Sequence, residues 1–453
     1  MVTQKRKSIH GQWSSKLIFV LSATGAAVGL GNIWKFPYEV TSNGGSAFVL
    51  TYIFCLLLLG IPLLTAEMCL GKLGRANPIQ SIYNIAKDNN KSKKWSFLGW
   101  LNIMTLTLVL SFYSVVAGWA LKYFIFSCKG YFSKITPNEL NIFWQQTVSN
   151  PFEIIFFHAI FMILTISVVV RGISKGIESA NKILMPLLFL FLISLVIFSS
   201  TTPGFPQGWD FMFEFRYQDF NFSTLLKAFG QTCFTLAIGA GCMLVYGAYV
   251  SDKTNLGKTS FIIAMINLFV ALATGLAIFP LTFSYNLEPI GGPGLIFQTL
   301  PIAFGNIYLG QVFGSIFFAL IIFAAWTSSI SMAEPIVIML IERFKCTRIK
   351  AGIFTGISTW ILGIFSALSF NILENVSVLG YRNFFVAITD ITTDFLLPLG
   401  ILGYTIFIGW QVDIRSIQDT LKFKKVIYAK IWYFLVKLIA PVVVILILVE
   451  PLI

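Results

Sequence analysis

Residues 25–32 read Gly25-Ala26-Ala27-Val28-Gly29-Leu30-Gly31-Asn32, with Lys35, Phe36 and Pro37 just beyond, in the middle of an apolar segment running from Leu17 to Phe48. Each glycine costs about 1 kcal/mol relative to alanine inside a helix, so the run favours an unwound stretch. In lipid, freed backbone N–H and C=O groups are tolerated only where a cavity, an ion or a ligand satisfies them. The segment therefore reads as a broken transmembrane helix lining a binding site.

A second break lies at residues 230–241, Gly-Gln-Thr-Cys-Phe-Thr-Leu-Ala-Ile-Gly-Ala-Gly, inside another long apolar stretch. Close packing through small residues explains either stretch taken alone. Five hydrophobic segments begin at the first break and five more at the second. Gly-interrupted segments at matching places in two halves mark a transporter site.

The 453 residues are 57% hydrophobic and 11% charged, the composition of a polytopic membrane protein. A span takes about 20 apolar residues, and about eleven such segments start near residues 15, 45, 96, 152, 178, 222, 259, 309, 351, 379 and 430. The expected fold is all-α, with inverted five-helix repeats and helices 1 and 6 unwound mid-membrane. Its divisions are a tail (1–13), a first repeat (14–202), an outer loop (203–221), a second repeat (222–411) with a re-entrant loop (286–305), an inner loop (412–429) and an eleventh helix (430–453).

The formal charge of +13 is not a nucleic-acid surface here. With the N-terminus in the cytoplasm, the clusters Lys72 to Lys94, Arg171 to Lys182, Lys253 to Lys258, Arg343 to Lys350 and Arg415 to Lys430 all fall in inner loops, as the positive-inside rule requires. An odd number of spans then places the C-terminus outside. The expected setting is the cell membrane, crossed many times, with lipid around the chain; the residues carry no signal of oligomeric state.

Six scattered cysteines show neither disulfide nor metal spacing. Two histidines, His10 and His158, give an enzyme no base or metal cluster. No ATP-binding loop is present, and the polar residues converge on two helix breaks rather than on a continuous pore. Glu67 is an ionisable residue inside the second segment, a functional candidate by default. Two readings stand for it: it faces water, a turn from Lys72, or it accepts hydrogen bonds from unwound backbone nearby. Residues 327–331, Thr-Ser-Ser-Ile-Ser, make segment eight rich in hydroxyls. Such a surface suits a hard cation, although Ser and Thr also bond back to their own helix.

These residues resemble the neurotransmitter:sodium symporter family, bacterial branch, with the leucine-transporter fold and eleven spans. The resemblance covers essentially the whole chain. It is carried by residues 27–32 (Ala-Val-Gly-Leu-Gly-Asn) with Phe36-Pro37, Asn43-Gly44-Gly45, Gly60-Ile61-Pro62, residues 292–297 (Gly-Pro-Gly-Leu-Ile-Phe) and Thr327-Ser328-Ser329.

The resemblance implies two sodium sites. One uses the Ala27 carbonyl, Asn32, Thr235, Asn267 and the substrate carboxylate; the other uses the carbonyls of Gly25, Val28 and Ala324 with the hydroxyls of Thr327 and Ser328. Tyr113 and the N–H groups near Leu30 and Gly31 would hold the carboxylate, and Phe234 would close the outer side. Ala26, Val109, Phe234, Ala237, Ala240, Ser328 and Met332 would line the side-chain pocket, and Ala27 and Thr235 would also lie around the cargo. Relatives that carry amines lacking a carboxylate have Asp at the place of Gly29, so the implied cargo is a neutral, hydrophobic or aromatic amino acid.

Departures from the family pattern concern the gates. Lys35 replaces the outer-gate Arg, opposite Asp390 or, failing that, Asp394. His10 replaces the inner-gate Arg, opposite Glu342. Ala271 stands where chloride-dependent relatives have a hydroxyl and many bacterial ones a carboxylate, which leaves chloride dependence open. The implied activity is sodium-coupled symport by alternating access. The alternative is a receptor-like protein that binds the amino acid without moving it.

Overall fold

The structure is a computed structural model that describes residues 10–214, 216–285, 294–423 and 426–450, together with Arg6 and Ser8. It is helical throughout, with no strand among the described residues. Among the described residues, nine helices are long and apolar enough to cross a bilayer, and a bent pair makes a tenth. The spans are α1 (Lys16–Ala27 continued by Gly31–Ser42), α2 (Ser46–Gly74), α3 (Lys93–Cys128), α4 (Pro151–Val169) and α5 (Ile173–Ser200). They continue as α6 (Phe222–Thr235 and Cys242–Ala248), α7 (Leu256–Ser284), α8 (Gly310–Phe344), α9 (Arg348–Leu368), α10 (Phe384–Gln411) and α11 (Val426–Val449). Ten rather than eleven pass on length and composition, because α6 is divided into two helices too short to cross alone.

Side-chain caps set where many spans begin. Ser15, Asn150, Asn221, Asn255, Thr347 and Asn383 each accept a hydrogen bond from the first turn of the helix that follows, satisfying donors that have no intrahelical partner. Polar caps before apolar runs fix the ends that a hydropathy profile leaves vague.

Several expectations are revised. Residues 203–221 are not simply a loop, since Phe205–Phe213 form a helix. The expected re-entrant segment is described only from Gly294; Leu295–Gly305 is a short apolar helix, and residues 286–293 lie outside the described residues. The inner loop 412–429 contains the helix Ile414–Leu421, and the last span starts at Val426 rather than residue 430.

Both breaks fall in the glycine-rich stretches. The two halves of α1 meet at 51°, with Val28 extended after the first half. In α6 the chain leaves the helix over residues 236–241, where Ala237, Gly239 and Gly241 all have positive φ. Glycine adopts that geometry freely, while Ala237 pays about 1–2 kcal/mol for it.

The break in α6 is held from outside. Glu67 of α2 accepts hydrogen bonds from the N–H groups of Gly239 (2.7 Å), Gly241 (3.0 Å) and Leu244 (3.3 Å). Asn102 of α3 donates to the Gly239 carbonyl at 2.7 Å and in turn accepts the Tyr404 hydroxyl of α10. Glu67 reaches the break because α2 and the second half of α6 touch backbone to backbone. A Cβ on Gly71 would strike the Leu244 carbonyl, and one on Gly247 the Met68 carbonyl. Small residues permit this approach in membranes.

Glu67→Gln should therefore destabilise the protein although the shape is kept. Its amide NH2 faces N–H donors, and a buried donor left unpaired costs about 1–3 kcal/mol. Thermal unfolding of the purified protein in detergent should show a clearly lowered midpoint. An unchanged midpoint would mean that Asn102 and Tyr404 hold the break without the carboxylate.

Candidate functional site

Where α1 is broken, its last carbonyls have no intrahelical donor, and side chains of α3, α6, α7 and α8 close around them. Three groups of residues result.

The first is a buried oxygen cluster between α1, α2, α6 and α7. Asn32 Nδ2 donates to Asn267 Oδ1 at 3.0 Å and to the Asn267 carbonyl at 3.2 Å. Asn267 Nδ2 donates to the Tyr52 hydroxyl (3.0 Å) and to Thr235 Oγ1 (3.3 Å), which lie 3.1 Å from each other. Asn32 Oδ1 is buried and has no partner. A buried carbonyl oxygen left unpaired costs about 1–3 kcal/mol; a hard cation is what such an oxygen accepts.

The second cluster joins the first half of α1 to α8. Ser328 Oγ lies 3.1 Å from the Gly25 carbonyl and 3.2 Å from that of Val28. One hydroxyl has one proton, so it serves only one of these acceptors at a time. Thr327 Oγ1 lies 3.1 Å from both the Ala324 and the Phe323 carbonyls of its own helix. Of the five oxygens named from the sequence, Ser328 Oγ thus meets the Gly25 and Val28 carbonyls, and Thr327 Oγ1 meets that of Ala324 one turn away. Neither cluster includes a carboxylate, and no group of three His, Cys, Asp or Glu side chains occurs among the described residues. The donors on offer are neutral oxygens, which fit an alkali cation better than a transition metal.

The third group is a pocket beside the α1 break. Eleven of the twelve residues expected around the cargo line it: Ala26, Ala27, Leu30, Gly31, Val109, Tyr113, Phe234, Ala237, Ala240, Ser328 and Met332. The twelfth, Thr235, belongs to the first oxygen cluster instead. Leu106, Cys242 and Leu397 also line the pocket and were not foreseen. The polar corner is formed by the Tyr113 hydroxyl, which accepts the Leu30 N–H at 3.1 Å. A Cβ on Gly29 would strike Tyr113 Oη and Ser328 Oγ, so the pocket has no room for a side chain there.

The two ends of the bundle differ. At the end bearing the N-terminal tail, His10 Nε2 is 2.8 Å from Glu342 Oε1. The same carboxylate accepts from the Asn77 backbone and side chain. Trp13 Nε1 donates to the Tyr246 carbonyl at 3.1 Å, and Ser14 donates twice to Glu178. Below these, Glu334 is paired with Arg348 and accepts the Tyr249 hydroxyl. The sequence suggested only the His10–Glu342 contact; the others join residues too distant in the chain for spacing to reveal.

At the opposite end the expected Lys35–Asp390 pair is not formed. Lys35 Nζ lies 4.7 Å above the Phe234 ring, a cation–π contact. Asp390 and Asp394 each accept from the hydroxyl beside them, Thr389 and Thr393. Asp394, rather than Asp390, lines the cleft that also contains Lys35, Glu39 and Lys227. The reason lies in α10, whose wide turn over Ile391–Leu396 alters the rotation between the two aspartates.

Other residues that serve the site are Gln231, which donates to the Gly31 carbonyl at 2.8 Å, and the Asn102–Tyr404 pair. A lone Asn in the apolar run of α3 was the one sequence signal available for the latter.

The model of the sodium:neurotransmitter symporter family matches residues 10–136 and 138–453. The chain is 34% identical over 441 residues to an uncharacterised sodium-dependent transporter, YhdH, of Bacillus subtilis, with 96% of each chain covered. It is 24% identical over 472 residues to the sodium-dependent dopamine transporter of Bos taurus, covering 90% of this chain and 64% of the relative. Among solved structures, MhsT in complex with L-phenylalanine is similar with a TM-score of 0.90 and 36% identity, covering 97% of this chain and 99% of MhsT. With breaks, oxygen clusters and pocket all in one bundle, the chain belongs to the sodium:neurotransmitter symporter family and is a multi-pass membrane transporter, not an enzyme.

Proposed function

We propose that the protein imports a neutral, hydrophobic amino acid, aromatic ones included, together with two sodium ions. The observation that carries this is the unpartnered Asn32 Oδ1, set beside an apolar pocket whose polar corner is the Tyr113 hydroxyl and the Leu30 N–H. A cation held by Asn32, Thr235, Asn267 and the Ala27 carbonyl gives that corner the positive charge an amino-acid carboxylate needs. The second cation is assigned to the carbonyls of Gly25, Val28 and Ala324 with Thr327 and Ser328. The crowding at Gly29 supports a cargo that brings its own carboxylate. MhsT, crystallised with L-phenylalanine, supports a bulky apolar side chain in the pocket.

The polar end bearing His10 and Glu342 is read as cytoplasmic from the placement of Lys and Arg. Cargo and ions then arrive through the cleft beside Lys35 while the His10–Glu342, Trp13–Tyr246 and Ser14–Glu178 contacts keep the other side shut. Release follows when these contacts give way. An inwardly negative potential adds about 2.3 kcal/mol per charge per 100 mV to the sodium gradient.

Uptake of labelled Leu, Phe, Trp and Tyr into proteoliposomes tests this reading. Accumulation should require an inward sodium gradient and should fall by about tenfold or more, a loss of about 1.4 kcal/mol or more in coupling, in Asn32→Ala and Thr327→Ala. Binding without uptake would favour a receptor-like protein, and uptake indifferent to sodium would sink the proposal.

The pocket makes a second, independent expectation. Ala240→Leu fills space beside Phe234 and Met332, and pocket volume is worth about 1–3 kcal/mol per methylene. Competition assays should show Trp and Phe losing affinity much more than Ala or Val. An equal loss for all four would mean that Ala240 does not bound the side-chain pocket.

A further inference from the structure

The second oxygen cluster has a neighbour on α5 that no part of the reading above uses. Asn181 is fully buried. Its Nδ2 donates to the Ile177 carbonyl one turn earlier at 2.9 Å, and its Oδ1 has no partner. The orientation of the amide is fixed chemically, because a flipped amide would set its oxygen against the Ile177 carbonyl.

The free oxygen is directed at Gly25. A Cβ built on Gly25 would lie 2.7 Å from Asn181 Oδ1 and 3.2 Å from both Thr327 Cβ and Met185 Sδ. Asn181 Oδ1 and the Thr327 side chain therefore crowd the same point on α1. That point is the residue whose carbonyl already meets Ser328 Oγ. Gly25 is needed for the approach, since any side chain there would displace the amide. An unbranched apolar residue would fill the volume of Asn181 without burying an unpaired oxygen. Retaining an amide is costly unless something accepts that oxygen.

We propose that Asn181 is a further cation-binding residue, its Oδ1 supplying an additional oxygen ligand, direct or through one water, at the site formed by Gly25, Val28, Ala324, Thr327 and Ser328. The inference rests on the sodium-coupled reading of that site. It adds a neutral oxygen from α5 to a set drawn otherwise from α1 and α8, so that all three helices feel whether the ion is present. Hard alkali cations favour such larger oxygen shells.

The test is a sodium titration of the purified full chain, with potassium holding ionic strength constant. The readouts are thermal stabilisation without amino acid and, separately, labelled amino-acid binding. Asn181→Ala should raise the half-saturating sodium concentration about threefold or more, while binding capacity at saturating sodium is unchanged. Asn181→Asp keeps Oδ1 and gives up the Nδ2 bond to Ile177; its sodium affinity should stay within about twofold of the wild type or become tighter. If Asn181→Asp weakens with Asn181→Ala, the residue only ties α5 together and the inference fails. It also fails if Thr327→Ala shifts the titration and Asn181→Ala does not, with the sodium-coupled reading left standing. A wild-type protein insensitive to sodium would overturn that reading itself.

Discussion

Backbone polar groups released inside a membrane have to be satisfied by the protein or its ligands, and in this bundle two helices are broken and release them. The rest of the structure is arranged around that constraint. The break in α6 is closed by fixed partners from three other spans: Glu67 on its N–H groups and Asn102, steadied by Tyr404, on a carbonyl. The break in α1 is treated differently. Its carbonyls meet the Ser328 hydroxyl, its Leu30 N–H meets the Tyr113 hydroxyl, and Asn32 Oδ1 meets nothing. Hydroxyls can turn to a new partner at small cost, whereas a carboxylate bound to three N–H groups cannot. On the proposed reading, one break is therefore scaffold and the other is a place for ligands.

The same distinction separates the ends of the bundle. The end with the N-terminal tail is sealed by several mutually supporting contacts, including the His10–Glu342 pair and the buried Glu334–Arg348 pair. Buried ion pairs add little net stability but are costly to break singly. They suit a seal that opens as a unit. At the other end, Phe234 and Leu397 line both the pocket and a cleft containing Lys35, Glu39, Lys227 and Asp394, and Lys35 rests on the Phe234 ring. An ammonium over an aromatic face has no directional hydrogen bond to lose, so this barrier is the softer one.

How much of this the sequence revealed follows from the range of each signal. The breaks were legible because glycine in a long apolar run is a local departure from helix chemistry. Glu67 was legible because a carboxylate among aliphatic residues demands a partner, although its donors at Gly239, Gly241 and Leu244 lie far along the chain. The ligand residues came from the family resemblance, since single Asn and Thr residues in separate spans have no spacing to relate them. Asn102 with Tyr404, and Ser14 with Glu178, stayed hidden for that reason. The choice between Asp390 and Asp394 opposite Lys35 stayed open in the sequence because residues 391–396 are wound more widely than a uniform helix. The short helices Pro137–Ser149 and Phe205–Phe213 lie between apolar segments and escape a search for spans.

The oxygen cluster around Asn32 and Asn267 contains no carboxylate, and on the proposed reading this bears on coupling. A cation held there by carbonyl, amide and hydroxyl oxygens alone brings an uncompensated charge into a buried site, which is unfavourable on its own. On the proposed reading, the missing negative charge arrives with the amino acid, at the corner formed by Tyr113 and Leu30. Ion and carboxylate then each make the other's binding possible, and by linkage the gain is equal in both directions. A fixed carboxylate in the protein would hold sodium whether or not cargo was present, and the gradient could be dissipated without transport. A neutral cage that depends on the cargo for its counter-charge ties the two together. The space denied to a side chain at Gly29 by Tyr113 and Ser328 keeps the cage in that condition.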